Sequence, residues 1–271
     1  MRTSHEKGAA FRALHARPGA FLIPNPWDIG TARLLAQLGF EALATTSAGY
    51  AFSAGRRDNQ IPRDEMLAHA AAIVSATDLP VSADLENGYG KTLDAVSETY
   101  RLAGGTGLAG ASIEDASQDP ANPQYEIEVA ADRVRAAVSA VRALPHPFVL
   151  TARAENFLVG RPDLHDAIRR LQAYQEAGAD ALYIPGLTSR DDIATVIRSV
   201  DRPVNVLMGM QGVQLSLSDL SELGVRRVSI GSALTRAAYG AFLRAAKEMR
   251  EHGTFTFAKD AVPFQSITQM F

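Results

Sequence analysis

The sequence predicts an α/β fold of the (β/α)8 TIM-barrel type that spans residues 1–271 as a single domain. Short β-branched or apolar runs alternate with longer amphipathic stretches, and Gly, Pro or a capping residue marks each changeover. Eight such units fit a chain of 271 residues, which is a usual length for one barrel. A doubly wound open sheet places a glycine-rich turn after its first strand. This chain has PNPWDIG there, so a barrel is favoured.

The candidate strands and helices alternate along the whole chain. Apolar residues recur at helical spacing between the strands, and segments such as LGF, TDLP and VDRP end a helix just before the next strand. The eight candidate strands cover residues 21–24, 42–46, 81–84, 110–114, 148–152, 181–184, 204–208 and 227–230. The candidate helices between them cover residues 29–38, 63–76, 94–103, 129–143, 163–177 and 191–200. The apolar tail, residues 254–271, is predicted to pack on the barrel or on a neighbouring subunit.

Composition excludes several classes of function. The formal net charge is -3 with scattered basic residues, so nucleic acid and anionic membranes are not expected partners. The chain has no cysteine, which excludes disulfides, thiolate metal sites and cysteine nucleophiles. The N-terminus is polar, and no apolar run approaches the roughly 18 residues of a membrane span. We therefore expect a cytoplasmic protein.

Three carboxylates at the ends of two neighbouring candidate strands predict a metal site. Barrel enzymes form their active sites at the C-terminal ends of the strands. Asp84 and Glu86 end the third strand on the same side, and Glu114 ends the fourth. A lone acid at such a position is usually a helix cap or a surface residue. Three converging acids resist ionisation unless a cation lies among them, and oxygen-only ligands favour Mg²⁺, with Mn²⁺ as the alternative.

Other residues at this rim are candidates for contact with a substrate. Arg153 ends the fifth strand and offers a planar fork to a substrate carboxylate; this role is favoured over the alternative, an ion pair with a rim acid such as Glu155. Asn205 in the seventh strand either donates a hydrogen bond to substrate or belongs to a structural layer of the barrel. Asp115 points away from the site if its strand continues, so we interpret it as structural.

The stretch after the second strand, TTSAGYAFSAGRRDN, is longer than an ordinary connection and is predicted to be a binding loop. Its members Ser47, Ala48 and Gly49 offer backbone N–H groups to a carboxylate. Candidates for a general acid or base are Tyr50, Asp58 or a metal-bound water, and the sequence does not rank them.

The chain lacks the residues that two other kinds of barrel enzyme need for catalysis. A Schiff-base aldolase needs a lysine inside the barrel, and none of the four lysines lies on a candidate strand. A zinc enzyme needs histidines at strand ends, and all six histidines lie in helices or at the opposite face. The glycines of MGMQG and IGSAL suggest a phosphate site, but ordinary turn formation explains them better.

The motifs NPWD, TTSAGYAFSAGRRDN, SADLENGYG, SIED and TARAENF occur in an order that resembles the isocitrate lyase and phosphoenolpyruvate mutase superfamily over nearly the whole chain. The resemblance implies a phosphoenolpyruvate/pyruvate-type barrel in which Asp84 contacts Mg²⁺ directly, while Glu86, Glu114 and Asp58 act through metal-bound waters. It implies that Arg153 and the Ser47–Gly49 region bind a pyruvate-like group. It also implies a homotetramer that exchanges a C-terminal helix between subunits.

Three departures from this superfamily narrow the expected reaction. SQDPANPQYE replaces the loop that carries lysine, cysteine, glycine and histidine in isocitrate and methylisocitrate lyases. Pro185 stands where phosphonomutases carry histidine, and threonines replace their tryptophan near the second strand. Glu86 takes the place of a more usual aspartate.

We therefore predict a lyase that cleaves or decarboxylates a small α-keto or α-hydroxy dicarboxylate similar to oxaloacetate, through a pyruvate enolate stabilised by Mg²⁺. The alternative within enzymes is phosphorus–carbon chemistry on phosphoenolpyruvate or phosphonopyruvate. The alternative from another class is a barrel that binds an α-keto acid without turning it over.

Overall fold

In the computed structural model, which describes residues 2–271, eight parallel strands form one sheet that curves into a nearly closed barrel. The strands are β1 (Phe21–Ile23), β2 (Leu43–Ala44), β3 (Val81–Asp84), β4 (Gly110–Glu114), β5 (Ala116–Asp119), β6 (Asn122–Gln124), β7 (Val149–Arg153), β8 (Ala181–Tyr183), β9 (Val204–Leu207) and β10 (Arg227–Ser229). The barrel order is β1-β10-β9-β8-β7-β4-β3-β2, whereas β5 and β6 form a separate antiparallel hairpin. The predicted fold class and its eight strands are confirmed.

The helices follow the barrel strands as predicted. They are α1 (Ser4–Ala16), α2 (Ile29–Gln37), α3 (Ser47–Ser53), α4 (Arg63–Ala76), α5 (Leu93–Gly105), α6 (Ile127–Arg142), α7 (Leu164–Glu176), α8 (Arg190–Ser199), α9 (Leu217–Glu222), α10 (Ala233–His252), a 3₁₀ helix (Thr256–Asp260) and α11 (Phe264–Thr268). Side chains of Thr92, Asp163 and Ser189 cap α5, α7 and α8, which explains where these helices begin. Among residues 2–271, no helix is long and apolar enough to cross a membrane.

The seam between β1 and β2 is held by few bonds. The backbone N–H of Ala44 donates to the carbonyl of Pro24 at 3.1 Å. The side-chain Nδ2 of Asn25 donates to the Thr45 carbonyl at 3.0 Å. Its Oδ1 accepts hydrogen bonds from the backbone N–H groups of Ile230 and Gly231, each at 3.0 Å. One buried amide therefore joins the ends of three strands and closes the barrel next to its C-terminal opening.

The two ends of the barrel interior differ in polarity. At the N-terminal end, Phe11 and Leu14 of α1 pack on the first residues of the strands, including Phe21 and Val149, and close the barrel with apolar side chains. Higher in the barrel, where other barrels place bulky branched residues, the buried side chains are polar. They are Ser82, Ser112, Thr151, Asn205 and Arg227. A polar interior of this kind leaves room for a ligand.

One prediction about a connection needs correction. The stretch after β2 is not a loop throughout, because Ser47–Ser53 forms helix α3, which begins at the side-chain cap of Thr46. The segment that follows β4 forms the hairpin of β5 and β6, which the periodicity of the sequence did not indicate. The tail is helical in part, and four of its large apolar side chains are exposed in this chain: Phe255, Val262, Phe264 and Phe271.

Buried His15 of α1 predicts a pH dependence of stability. Burial and the positive charge of Arg227 lower its pKa to about 3, whereas the unfolded chain takes up this proton near pH 6.5. Stability contributed by neutral His15 is therefore present above about pH 6.5 and is lost as the pH falls toward 3.

The free energy of unfolding of the wild-type protein should fall by about 1.4 kcal/mol per pH unit between about pH 6 and 4 because of His15. We expect His15→Gln to remove this contribution. Urea unfolding at several pH values measures it, with His252→Gln on the exposed end of α10 as the control. Parallel curves for wild type and His15→Gln would contradict the prediction.

Candidate active site

A cavity of about 190 Å³ opens at the C-terminal end of the barrel. The last residue of each of six strands lines it: Ala44, Asp84, Arg153, Tyr183, Leu207 and Ser229. Sites for drug-sized ligands usually have volumes of roughly 300–1,000 Å³. The cavity is therefore suited to a small molecule.

Asp84 is held in place through both carboxylate oxygens. Its Oδ2 accepts hydrogen bonds from the backbone N–H and the hydroxyl of Ser47, at 3.1 and 2.9 Å. Its Oδ1 accepts from Arg153 Nη1 at 2.9 Å. The backbone N–H of Asp84 donates to Thr45 Oγ1 at 2.9 Å. The end of β2 and the start of α3 thus orient the carboxylate at the end of β3.

Arg153 is surrounded by acids. Its Nη1 lies 2.9 Å from Asp84 Oδ1 and 3.2 Å from Glu114 Oε2, and its Nε donates to Glu155 Oε1 at 2.8 Å. Burial raises the pKa of Glu114 well above its ordinary value, and burial raises that of Glu155 to about 7. One guanidinium is thus shared among three carboxylates, and the pairing with Glu155 that the sequence left open is present.

Glu86 lies beside this cluster in a strained conformation. Its backbone has a φ of 49°, which is uncommon for a residue with a side chain. Its Oε2 accepts from Gln118 Nε2 of the hairpin at 2.9 Å, whereas its buried Oε1 has no hydrogen-bond partner among the described residues. Burial and the nearby charges of Asp84 and Asp58 raise the pKa of Glu86 to about 7. The buried hydroxyl of Tyr89, which bonds to no other described residue, lies close enough to Glu86 to oppose part of this rise in pKa.

The predicted metal residues fit a cation that keeps part of its water shell. Within residues 2–271, no three acidic or histidine side chains are close enough to form a complete set of direct ligands. Mg²⁺ commonly retains several waters and binds only one or two carboxylates. The unpartnered oxygen of Glu86 and the excess of acids over Arg153 both fit such an ion. The acids at this end of the barrel are Asp58, Asp84, Glu86, Glu114 and Glu155.

The stretch after β2 contributes fewer residues than predicted. Ser47 and Ala48 line the cavity. The Gly49 backbone N–H donates to Thr46 Oγ1 at 3.2 Å as part of the α3 cap, and a Cβ on Gly49 would lie 2.6 Å from Thr235 Oγ1. Gly49 therefore permits close packing of α3 on α10, and it does not line the cavity.

Tyr50 also lies outside the cavity. Helix α3 turns its ring onto His69, with ring centroids 3.7 Å apart, and its hydroxyl donates to Glu65 Oε1 at 3.3 Å. Asp58 lies at the open edge and lines the cavity. Partial loss of contact with water and the charge of Asp84 raise the pKa of Asp58. Of the two predicted acid–base residues, the structure therefore brings only Asp58 to the site.

Asn205 is a structural member of the barrel interior. Its Nδ2 donates to Ser229 Oγ at 2.9 Å, and its Oδ1 accepts from Arg227 Nε at 3.0 Å. Arg227, in contrast, lines the cavity and was missed from the sequence. Alternation along RRVSI puts Arg227 and Ser229 on the same face of β10, and this is the signal that would have found it.

Asp115 has the structural role that was predicted. Its carboxylate is buried and accepts from Tyr174 Oη at 2.6 Å, Gln124 Nε2 at 3.0 Å and Arg170 Nη1 at 3.1 Å. It also accepts from the backbone N–H of Glu155 at 2.8 Å. This network fixes Glu155, which in turn orients Arg153.

Comparison with known proteins places the chain in a family. The model of the phosphoenolpyruvate phosphomutase family matches residues 11–250. This chain belongs to that family. The resemblance to the isocitrate lyase and phosphoenolpyruvate mutase superfamily is confirmed, and the chain is an enzyme of a superfamily of lyases and mutases.

Several relatives are similar over nearly the whole chain. A solved structure from Burkholderia cenocepacia J2315, described provisionally as a lyase or mutase, is 61% identical with a TM-score of 0.96, covering 98% of this chain and 95% of its own. The structure of 2,3-dimethylmalate lyase is 27% identical with a TM-score of 0.87, covering 100% and 95%. The oxaloacetate decarboxylase of Chromohalobacter salexigens is 29% identical over 257 residues, 92% of this chain and 87% of that protein.

The Asp115 network predicts a large loss of stability for a small chemical change. Asp115→Asn keeps the shape of the side chain but places an NH₂ group among donors and leaves Arg170 with one fewer carboxylate. We expect unfolding free energy to fall by about 3 kcal/mol, measured by urea unfolding. The control Arg190→Gln breaks an exposed ion pair with Asp219. It should change the free energy of unfolding by less than about 0.5 kcal/mol. Equal stability of the two variants would contradict the prediction.

Proposed function

We propose that this protein is a Mg²⁺-dependent lyase or decarboxylase that breaks a carbon–carbon bond in a small α-keto or α-hydroxy dicarboxylate similar to oxaloacetate. The observation that carries the proposal is the fixed Asp84 carboxylate beside an excess of buried acids at the opening of a small polar cavity. Similarity to an oxaloacetate decarboxylase and to 2,3-dimethylmalate lyase supports this choice of substrate class.

Asp84 would hold the cation directly, and Glu86, Glu114 and Asp58 would hold its waters. When bound, the cation supplies positive charge that stabilises the enolate oxygen formed as the bond at C3 breaks. Mn²⁺ offers the same chemistry to these oxygen ligands. The unpartnered Oε1 of Glu86 supports its place in this set.

Arg153 and Ser47 would orient the substrate. Arg153 lines the cavity, where its Nε bonds to Glu155 and its Nη1 contacts Asp84 and Glu114, so Nη2 is the nitrogen that would bind a substrate carboxylate. Ser47 and Ala48 line the same wall. A planar guanidinium anchored at two nitrogens presents its third in a fixed direction to a carboxylate.

Asp58 is the residue we propose for proton transfer. It lies at the open edge of the cavity, and its pKa is raised by burial and by Asp84, which moves it toward the range of an acid–base catalyst. Tyr50 is not retained in this role, because its hydroxyl bonds to Glu65 on α4. Protonation of the enolate by solvent would make Asp58 dispensable for a simple decarboxylation.

The test is turnover of a substrate panel with Mg²⁺: oxaloacetate, dimethylmalate, methylisocitrate, isocitrate and phosphonopyruvate. We expect pyruvate or a related keto acid as product and a loss of at least roughly 100-fold for Asp84→Ala. The matched control Asp201→Ala changes an exposed aspartate outside the barrel opening. Release of phosphate would instead favour phosphorus–carbon chemistry. Binding of α-keto acids without turnover would favour the non-catalytic barrel.

We also propose that the chain forms a homo-oligomer, as a tetramer. The support is a set of large apolar side chains that α10 and the tail leave exposed: Phe242, Leu243, Phe255, Val262 and Phe264. Exposed apolar surface of this kind marks a contact with another protein.

Light scattering at micromolar concentration is expected to give a mass near four times that of the chain, and Phe264→Asp should reduce it. Lys259→Asp changes an exposed charge in the same tail and serves as the control. A monomer for the wild-type protein would contradict the prediction.

A further inference from the structure

Arg227 lies where a ligand would reach the inner end of the cavity. It is the first residue of β10, yet it lines the same cavity as residues at the ends of the strands. Its Nε donates to Asn205 Oδ1 at 3.0 Å, and its Nη1 donates to Thr151 Oγ1 at 2.9 Å. Strands β9 and β7 thus hold the guanidinium in a fixed plane from two sides of the barrel interior. Its Nη2 forms no hydrogen bond to the described residues and is not fully enclosed by protein, so it faces the cavity.

Arg227 also lacks a negatively charged partner. Its side chain is 4% exposed, but no carboxylate among residues 2–271 lies within 4.0 Å of it. Arg153 and Arg170 each pair with carboxylates. Buried Arg133 has no carboxylate partner either, but it donates to two backbone carbonyls and lies over the ring of Tyr125. Burial and repulsion from Arg153 lower the pKa of Arg227 only to about 10, so the group is charged at neutral pH. A buried cation without an anion is costly, and a bound anion would compensate it.

The groups around Arg227 offer further hydrogen-bond donors. Ser229 Oγ accepts from Asn205 Nδ2, and its own hydroxyl lies within hydrogen-bond reach of Tyr183. The hydroxyls of Ser82 and Ser112 line the same part of the cavity and form no hydrogen bond to the described residues. We call Arg227, Ser229, Ser82 and Ser112 the floor of the cavity. The floor is cationic and rich in donors, whereas the opening is rich in carboxylates.

We propose that Arg227 is a specificity-determining residue that binds the second carboxylate of the substrate at the floor of the cavity. The substrate is then a short acid with a carboxylate at each end, one held near Arg153 at the opening and the other by Arg227. Acids that lack the second carboxylate leave Arg227 unpaired and bind weakly. This inference rests on the proposed function for its substrate class, although its test does not require turnover.

Malate and lactate are the probes, because both are stable 2-hydroxy acids that differ by the second carboxylate. We expect calorimetry with Mg²⁺ to show malate binding at least roughly tenfold tighter than lactate. Arg227→Met keeps the volume of the side chain and should weaken malate binding by roughly 10- to 100-fold while leaving lactate unchanged. Arg227→Lys should recover part of the malate affinity, and Arg190→Met, an exposed arginine on α8, should change neither.

Equal losses for malate and lactate, or no loss for either, would overturn the assignment of Arg227. If Arg227→Met does not fold, the rise in thermal unfolding temperature of wild type with each acid still decides, because the proposal requires a larger rise with malate. Malate selectivity that depends on Arg227, without turnover of any member of the substrate panel, would leave this inference standing and remove the proposed function. Turnover without malate selectivity would leave the proposed function standing and remove the assignment of Arg227.

Discussion

The buried charge around Arg153 is the constraint on which the rest of the site depends. Asp84, Glu114 and Glu155 all contact this one guanidinium, and Glu86 lies beside them with an oxygen that nothing in the described protein satisfies. Carboxylates that are buried together ionise reluctantly, as the raised pKa values of Glu86 and Glu155 show. An additional cation relieves this repulsion. Glu155 also shares the Arg153 guanidinium, so its position matters, and the Asp115 carboxylate fixes that position by accepting from the Glu155 backbone N–H.

The sequence was sufficient for the barrel and for the convergence of its acids, because both follow from periodic patterns. Parallel strands bring their C-terminal residues to one rim, so Asp84, Glu114 and Arg153 were expected to meet. The sequence was not sufficient to predict side-chain positions after β2, where the short helix α3 replaces the expected loop. Nothing local in the pattern shows that α3 turns Tyr50 toward His69 or that Gly49 packs beneath Thr235.

Arg227 was missed for a different reason. Its position in β10 is readable from alternation, but its importance comes from what is absent around it, namely a carboxylate partner, and this is a property of the folded surroundings. The contact of Gln118 with Glu86 was equally hidden, because it depends on a hairpin that folds over the opening from outside the barrel. Long-range pairings of this kind leave no periodic signal in the chain.

The barrel divides its interior between stability and binding. Apolar side chains under α1 form a closed core at the N-terminal end. In the upper interior, hydroxyls, an amide and an arginine are buried in place of apolar side chains. Such a layer contributes less to folding than branched apolar residues would. The compensation lies in the surrounding helices, whose large buried side chains include Tyr100 and Tyr174.

The hairpin of β5 and β6 meets the acids through a side chain, that of Gln118, which bonds to Glu86 and to Asn59. It is not part of the barrel sheet, but buried Gln124 at its base donates to Asp115 and so belongs to the network that positions Arg153. Only the exposed tip of the hairpin is therefore free to vary while the scaffold stays constant. A family of barrels built in this way diverges in chemistry faster than in architecture.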